Sequence, residues 1–306
     1  MKMRLTLPLV PLAIVMGAGG VAAQAPAAPS LESRISHYDQ DNIRMSSSVH
    51  EGSGPMGYTE LLSSNDLETN LYFLHRGILP PGGGIGHHFH NASEEMFLIL
   101  DGEAEFTING RTSVLEGPVG APVTMGSSHA IRNHTDQTVQ WMNINVTSVK
   151  NEYDAFNLGD GRVGVVVDPI PVFMTMHLSR DLLRPQEAMY GGTGTVQYRR
   201  ALGPTVFRGP WSYVDHLLVP PAASVGNHQH RGVAEFYYVL NGQGTLTVGN
   251  ESAPIRMGDA IPIHLNEAHG VSNNGSEPLE LMIVGVARDM TKDLTTTASE
   301  PGGPPR

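Results

Sequence analysis

The chain has 306 residues, 40% hydrophobic and 16% charged, too long and too apolar for a disordered or disulfide-stapled peptide and long enough for one large or two ordinary domains. Cysteine is absent, which excludes disulfides, zinc ribbons, thiol nucleophiles, iron–sulfur clusters and a lipidated-Cys anchor, and leaves 14 His as the store of metal-binding or acid–base chemistry. A formal net charge of −11 repels phosphate backbones and anionic lipid, so neither nucleic acid nor a membrane face is an expected partner.

The chain opens with Met-Lys-Met-Arg, an apolar run from Leu5 to Met16 and small residues ending Val21-Ala22-Ala23. A positive head, a short apolar middle and a small-residue site read as a secretory signal peptide over 1–23. Pro8 and Pro11 interrupt a run already shorter than the ~20 residues of a bilayer-spanning helix. Cleavage after Ala23 removes Lys2 and Arg4 and no acid, taking the net charge to about −13. The expected product is an exported protein, periplasmic or secreted.

Residues 24–57 form an N-terminal arm with an Ala/Pro-rich start. Two domains, 58–149 and 201–289, follow, joined by a connection over 150–200, and the polar 290–306 is expected to be a mobile tail. Runs such as Glu95-Met96-Phe97-Leu98-Ile99-Leu100 and Gly244-Thr245-Leu246-Thr247-Val248 are short, β-prone and bounded by Gly, Asn-Gly or Pro, the mark of antiparallel strands in a sandwich or barrel. Helices are expected only at Tyr58 to Leu62, Lys150 to Asn157 and Ser179 to Met189.

The domains are copies of each other. From Ile78, ILPPGGGIGHHFHNASEEMFLILDGEAEFTING aligns without gaps on LVPPAASVGNHQHRGVAEFYYVLNGQGTLTVGN from Leu218, at an offset of 140. The alignment continues to place Pro122 on Pro262, His129 on His269 and Asn133 on Asn273. A match of this length indicates duplication of a whole folding unit.

The chemistry sits inside the repeat. His88-x-His90, Glu95 and His129 in copy one match His228-x-His230, Glu235 and His269 in copy two. Residues i and i+2 of a strand share a face, so each His pair can point into a barrel, with Glu from the next strand and a third His from a distant one. Three imidazoles and a carboxylate leave positions open on a divalent first-row metal, with Mn, Fe, Ni, Co, Cu and Zn all compatible, one per domain.

These motifs resemble the cupin superfamily, and more closely its two-domain bicupins. The resemblance rests on Gly82-x5-His88-x-His90-x4-Glu95-x6-Gly102 and Gly126-x2-His129-x3-Asn133, with counterparts His228-x-His230-x4-Glu235-x6-Gly242 and His269-x3-Asn273. It covers about 55 residues of each copy and implies an all-β fold of two tandem double-stranded β-helical (jelly-roll) barrels with a few short helices. Two features depart from the family pattern. The Pro-x6-His spacing (Pro122 to His129, Pro262 to His269) is two residues longer than usual, and Ala222 and Asn266 stand where copy one has Gly82 and Gly126, which should loosen those turns.

Alternation places Phe97, Ile99, Trp141, Asn143 and Asn145 inside copy one, against Tyr237, Val239, Leu281, Ile283 and Gly285 in copy two, so the second cup is expected to be more apolar. From the residue pairs His75-Arg76 and Asp215-His216, Arg76 is a candidate to hold a substrate carboxylate or enolate and His216 to act as acid or base, and Tyr237 is a candidate proton donor. His87 and His134 are out of register with the ligands, and Glu94 is expected to be solvated.

Bicupins of this resemblance include quercetinase-type dioxygenases, oxalate decarboxylases and oxidases, keto-acid or sugar isomerases, and non-catalytic storage globulins. The apolar inward residues favour a metal-dependent dioxygenase acting on a small aromatic or enol-bearing molecule. A non-redox decarboxylase, lyase or isomerase is the alternative. A storage role fits less well, because storage members usually lose ligands and all eight stand here. Self-association through the barrels is a further expectation.

Overall fold

The computed structural model describes residues 29–292. The segment 1–23 and most of 290–306 lie outside the described residues. Two barrels are built, each from a larger and a smaller antiparallel sheet. In the first, the large sheet runs Met176–His177, Val119–Val123, Ser93–Ile99, Val139–Thr147, Leu71–Leu79, Pro55–Ser63, Arg44–Ser47, and the small sheet Phe156–Asn157, Gly84–Phe89, Ser128–Arg132, Glu103–Ile108, Arg111–Glu116. In the second, the large sheet runs Ser36–His37, Asp259–Ile263, Val233–Asn241, Leu279–Ala287, Trp211–Val219, Thr195–Leu202, Arg184–Glu187, and the small one Ser224–His228, His269–Ser272, Gln243–Val248, Glu251–Arg256.

The outermost strands are exchanged. Ser36–His37, ahead of the first barrel in sequence, pairs with Asp259–Ile263 of the second, and Met176–His177 pairs with Val119–Val123 of the first. These two-residue strands are themselves 140 positions apart, so the repeat reaches back well beyond Ile78. Gly52/Gly192, Gly54/Gly194 and Tyr58/Tyr198 are the identities that signal it.

The large sheets pack face to face. Phe97 and Ile99 point into the first barrel's core, while Met96 and Leu98 join Met142 and Ile144 against Trp211, Phe236, Met282 and Val284 of the second barrel. A strand apolar on both faces therefore has the unbroken hydrophobic run seen at 96–99. At the usual cost of truncating a buried Leu, about 2–5 kcal/mol, Leu98 is as important as a barrel-core residue although it lies inside neither barrel.

The three expected helices do not form. Tyr58 to Leu62 lies within the strand Pro55–Ser63, because pairing with Leu71–Leu79 buries Leu61 and Leu62 in the inter-barrel core. Residues 150–157 make a turn and then the short strand Phe156–Asn157. Residues 179–189 hold a 3-10 turn, Arg180–Leu182, and the edge strand Arg184–Glu187, where Pro185 is tolerated because an edge need not donate on both sides. The one α-helix among the described residues is Leu31–Arg34. At the far end of the described residues, Lys292 donates from Nζ to the carbonyls of Pro204 and Phe207.

Candidate metal centres

In the first barrel His88 lies next to the end of the strand Gly84–Phe89, directly across from His129 on Ser128–Arg132, His90 follows just beyond the strand, and Glu95 comes from Ser93–Ile99. Glu95 Oε2 is 2.6 Å from His90 Nε2, 3.5 Å from His129 Nε2 and 4.0 Å from His88 Nε2. One donor atom from each of the four residues lies within 4.8 Å of all the others. Ligands about 2.0–2.2 Å from one ion sit about 3–4 Å apart, so the spacing suits a single cation. The donor chemistry fits as well. His129 Nε2 is buried without a hydrogen-bond partner, and His90 Nε2 and Glu95 Oε2 have only each other, a costly arrangement that an ion relieves.

The supporting contacts turn the right atoms inward. His88 Nδ1 meets the Gly86 carbonyl at 2.8 Å and His90 Nδ1 meets that of Asp154, leaving each Nε2 facing the centre. Asn143 donates its amide to Glu95 Oε1, which leaves Oε2 facing the imidazoles. Burial pushes His88 down to about 3 and His129 well below its ordinary value, so both rings are neutral, as metal ligation needs. Burial also opposes charge on His90 and Glu95, but their mutual attraction outweighs it, raising the imidazole and holding the carboxyl far below its usual range.

Two covers escaped sequence reasoning. The first is His50, which stacks on His88 at 3.8 Å between centroids, from an arm whose Ser48 and His50 both adopt left-handed backbone (φ 55° and 50°). Gly86 permits this, since a Cβ there would lie 2.1 Å from the His50 carbonyl oxygen. The second is the segment after the last strand. Its Asp154 carboxylate accepts from the N–H groups of Asn91 (2.8 Å) and Ala92 (2.9 Å), and Tyr153 lies 5.2 Å from His90 while stacking on Tyr72. The pairing of Gly86 with Gly226 was the visible trace of the first cover, while nothing in the motif spacing marked Tyr153.

The second barrel repeats the plan with different walls. His228, His230 and His269 gather, and Tyr190, the counterpart of His50, stacks on His228 at 3.8 Å with φ 52°. Glu235 lies 3.0 Å from His269 and 3.4 Å from His230 but offers no oxygen within 4.8 Å of all three imidazole donors. Its Oε1 accepts from the Tyr213 phenol at 2.6 Å. Beside it the half-buried Arg200 donates to the buried Asp215 at 2.9 and 3.0 Å. The expectation of a more apolar second cup is thus corrected, because the strands before the His pair and at Thr195–Leu202 bring in Tyr213, Asp215 and Arg200.

The other candidates fall as follows. Tyr237 is inside the second cup, edge-on to His269 at 5.7 Å. Arg76 and His216 point the other way, into the space between the barrels. Arg76 donates to Tyr238 Oη and to the carbonyls of Gly77 and Trp141, and His216 Nε2 meets Glu280 Oε1 at 2.7 Å. Alternation explains both, since the residues that face the ligands are their neighbours His75 and Asp215. Glu94 is buried rather than solvated, accepting from the N–H groups of Arg208 and Gly209 in the other barrel. His87 is turned from the ligands toward Ser128 Oγ, and His134 toward Glu103.

A cupin-domain family model matches residues 75–145 and 216–285. An oxalate-binding protein of Thermotoga maritima is 32% identical over 96 residues, 31% of this chain and 79% of the relative. The chain is a bicupin of the cupin superfamily. Among solved structures it is similar to oxalate decarboxylase from Lactobacillus farciminis (TM-score 0.60, 17% identity, 83% of this chain and 86% of that one). Oxalate decarboxylase from Bacillus subtilis, an enzyme with Mn(II) centres, gives TM-score 0.57 at 17% identity over 86% and 77%. At such identity these likenesses show the fold. The replacement of two turn glycines is absorbed without loss of a turn: Ala222 and Asn266 take the left-handed backbone of Gly82 and Gly126 (φ 64° and 63° against 73° and 80°). The Ala222 N–H still reaches the Asn273 carbonyl, as Gly82 reaches Asn133.

Proposed function

We propose that this bicupin is a metal-dependent lyase that removes carbon dioxide from a small carboxylate at the first-barrel site. The observation that carries the reading is the enclosed four-donor set. His88, His90, Glu95 and His129 are at most 2% exposed, and His50 and Tyr153 lie over them. A site so enclosed favours a molecule of a few carbon atoms over a flavonol-sized one, which reverses the weight that apolar lining alone gave to an aromatic substrate. Similarity to an oxalate-binding protein and to oxalate decarboxylases supports the same choice.

A divalent ion held by the four ligands supplies Lewis-acid polarisation of a bound carboxylate or carbonyl. The protein's own groups supply the rest. Asn143 keeps Glu95 oriented, and the buried aromatic walls, Phe97 and Trp141, exclude water. When the carbon–carbon bond breaks, its electron pair stays on the remaining carbon, which then takes a proton. Burial, with Glu95 and Tyr72 adding to it, raises the Tyr153 phenol well above its ordinary value, so it stays protonated and is the candidate donor over His90. Among candidate ions, Mn and Fe suit a set that includes a carboxylate.

The second reading is the dioxygenase, favoured by the aromatic walls around the same ligands. Metal-reconstituted protein assayed for carbon dioxide release from oxalate and short 2-oxo acids, with and without oxygen, separates the two. Equal turnover without oxygen is expected. Strict oxygen dependence, or oxygen uptake with flavonols, diketones or catechols instead, overturns the lyase reading.

Export through the 1–23 segment belongs to the same proposal, and fractionation of expressing cells tests it, retention of an uncleaved chain in the cytoplasm being the adverse result. Self-association has its own surface. Asp168 pairs with Arg111 and its N–H reaches the Thr112 carbonyl, fixing a connection from which Val163, Val166, Ile170 and Val172 project with 62, 88, 74 and 59% exposure. Together with Met174 they present roughly 500 Å² of apolar surface, near the largest patch an ordinary monomer carries. A second copy is the proposed occupant. Light scattering on wild type and Val166→Glu tests it, and a wild-type monomer at working concentration counts against it.

A further inference from the structure

The last strand of the first barrel, Val139–Thr147, carries two amide side chains on its inner face. Asn145 stands directly across from Glu95 and Asn143 directly across from Phe97, and the two are only 0 and 5% exposed. Asn143 donates its Nδ2 to Glu95 Oε1, and since a carboxylate accepts only from the NH₂ end, the Asn143 carbonyl is the end left over. Asn145 donates to Ser93 Oγ at 3.2 Å, again with its carbonyl unused. Asn143 Oδ1 and Asn145 Oδ1 are both buried with no hydrogen-bond partner among the described residues. Two orphaned acceptors on one face, beside the ligands of an ion, call for donors from a molecule outside the chain.

The fold does not require these amides. The second barrel has Ile283 and Gly285 in their places and Val233 in place of Ser93, and it builds the same sheet. Residue 285 there has no room for a side chain, since a Cβ would lie 2.3–2.6 Å from the Tyr213 ring carbons. The acceptors therefore belong to what the first site binds rather than to what holds the sheet together.

We propose that Asn143 and Asn145 form a subsite for substrate hydroxyl groups, so that the first barrel takes a short carboxylate that carries a hydroxyl, a hydroxylated 2-oxo acid being the smallest that also offers the ion a carbonyl. This deepens the lyase reading and rests on it for the carboxylate that the ion holds. The oxalate dianion has acceptor oxygens only and leaves both amides unmet. A hydroxyl has a proton to give, and a site built around such a donor discriminates against the analogue that lacks it.

Dissociation constants of oxalate, pyruvate and 3-hydroxypyruvate for the Mn²⁺-loaded full-length protein, read from the Mn²⁺ paramagnetic resonance signal, test the subsite. Pyruvate and 3-hydroxypyruvate present the same carboxylate and carbonyl, so the difference between them isolates the hydroxyl. In His228→Ala, which confines the ion to the first barrel, 3-hydroxypyruvate is expected to bind about tenfold or more tightly than pyruvate. In His88→Ala, which confines it to the second, the two should differ by less than about threefold. Added to His228→Ala, Asn145→Ala keeps the ion, because Asn145 bonds Ser93 rather than a ligand, and should cut the preference about threefold or more. Equal affinities for the two acids in the first barrel, a preference as large in the second, or one unchanged by Asn145→Ala overturns the inference, water then being what satisfies the amides. Each of these leaves standing the lyase reading, which turns on carbon dioxide release without oxygen. A loaded first barrel that binds none of the three acids overturns both.

Discussion

Corresponding positions in the two barrels carry the same three imidazoles and one carboxylate, and among the described residues the four donors are gathered more tightly in the first than in the second. The difference lies not in the ligands but one strand away, where Phe73, Asn143 and Asn145 become Tyr213, Ile283 and Gly285. It teaches that a repeated motif preserves donor identity, while the group that holds the carboxylate's outer oxygen, an amide in one barrel and a phenol in the other, is free to change. A parallel exchange has changed the polar pair beside the sites. Glu60 and His75, 3.6 Å apart with Glu60 half-exposed, are replaced by the half-buried Arg200 and the buried Asp215.

Several substitutions would break or sharpen that contrast. The largest effect is expected from His88→Ala or from chelation, which should reduce turnover to the metal-free background; the matching His228→Ala should leave most activity, and metal content with initial rates decides. Next comes Asn143→Ile, which gives the first barrel the apolar side chain of the second and should weaken its Mn²⁺ binding about 10–100-fold, as loss of a ligand's supporting hydrogen bond usually does. Isothermal titration reads this one.

Stability effects are smaller. Asp215→Ala strands the Arg200 guanidinium and should cost about 3 kcal/mol in urea unfolding, against less than about 1 kcal/mol for Glu60→Gln in the more exposed pair. Gly285→Ala crowds the Tyr213 ring and should cost about 1–3 kcal/mol, part of which is recovered when Tyr213→Ala is added. Equal costs with and without the second change would show that the ring is not what Gly285 accommodates.

The smallest effect is a pH slope on the inter-barrel side, where the second barrel has Glu280 and the first Gln140. Burial opposes ionisation of Glu280, but His216 and Arg180 outweigh it and hold its pKa below the usual carboxylate range. A lowered folded-state value means that this contribution is present above the unfolded carboxyl pKa and is lost as pH falls through the folded one. Glu280→Gln should therefore flatten the decline in melting temperature below about pH 4.5, the unfolded value for Glu. An unchanged decline removes Glu280 from the account.

Much of this architecture was legible in the chain itself. The 140-residue offset, the strand periods and the His-x-His, Glu and distant His spacings determined two β-barrels with a donor set apiece, because alternation on a strand is a local rule that any pleated sheet obeys. Local rules failed where faces compete. Arg76 and His216 stand beside inward residues but look toward the neighbouring barrel, and a sequence does not say that the outer face of a sheet is covered by another sheet. Glu94 looked solvated for the same reason, although it caps backbone N–H groups across that interface.

The exchanged strands Ser36–His37 and Met176–His177, the kinked arms that lay His50 and Tyr190 on the ligands, and the closure of Tyr153 over His90 depend on contacts between segments tens to hundreds of residues apart. The sequence by itself determined which atoms were available to a metal in each copy. Only the tertiary structure decided how they are held, because each carboxylate's partner stands across a neighbouring strand, an amide in one barrel and a phenol over a glycine in the other.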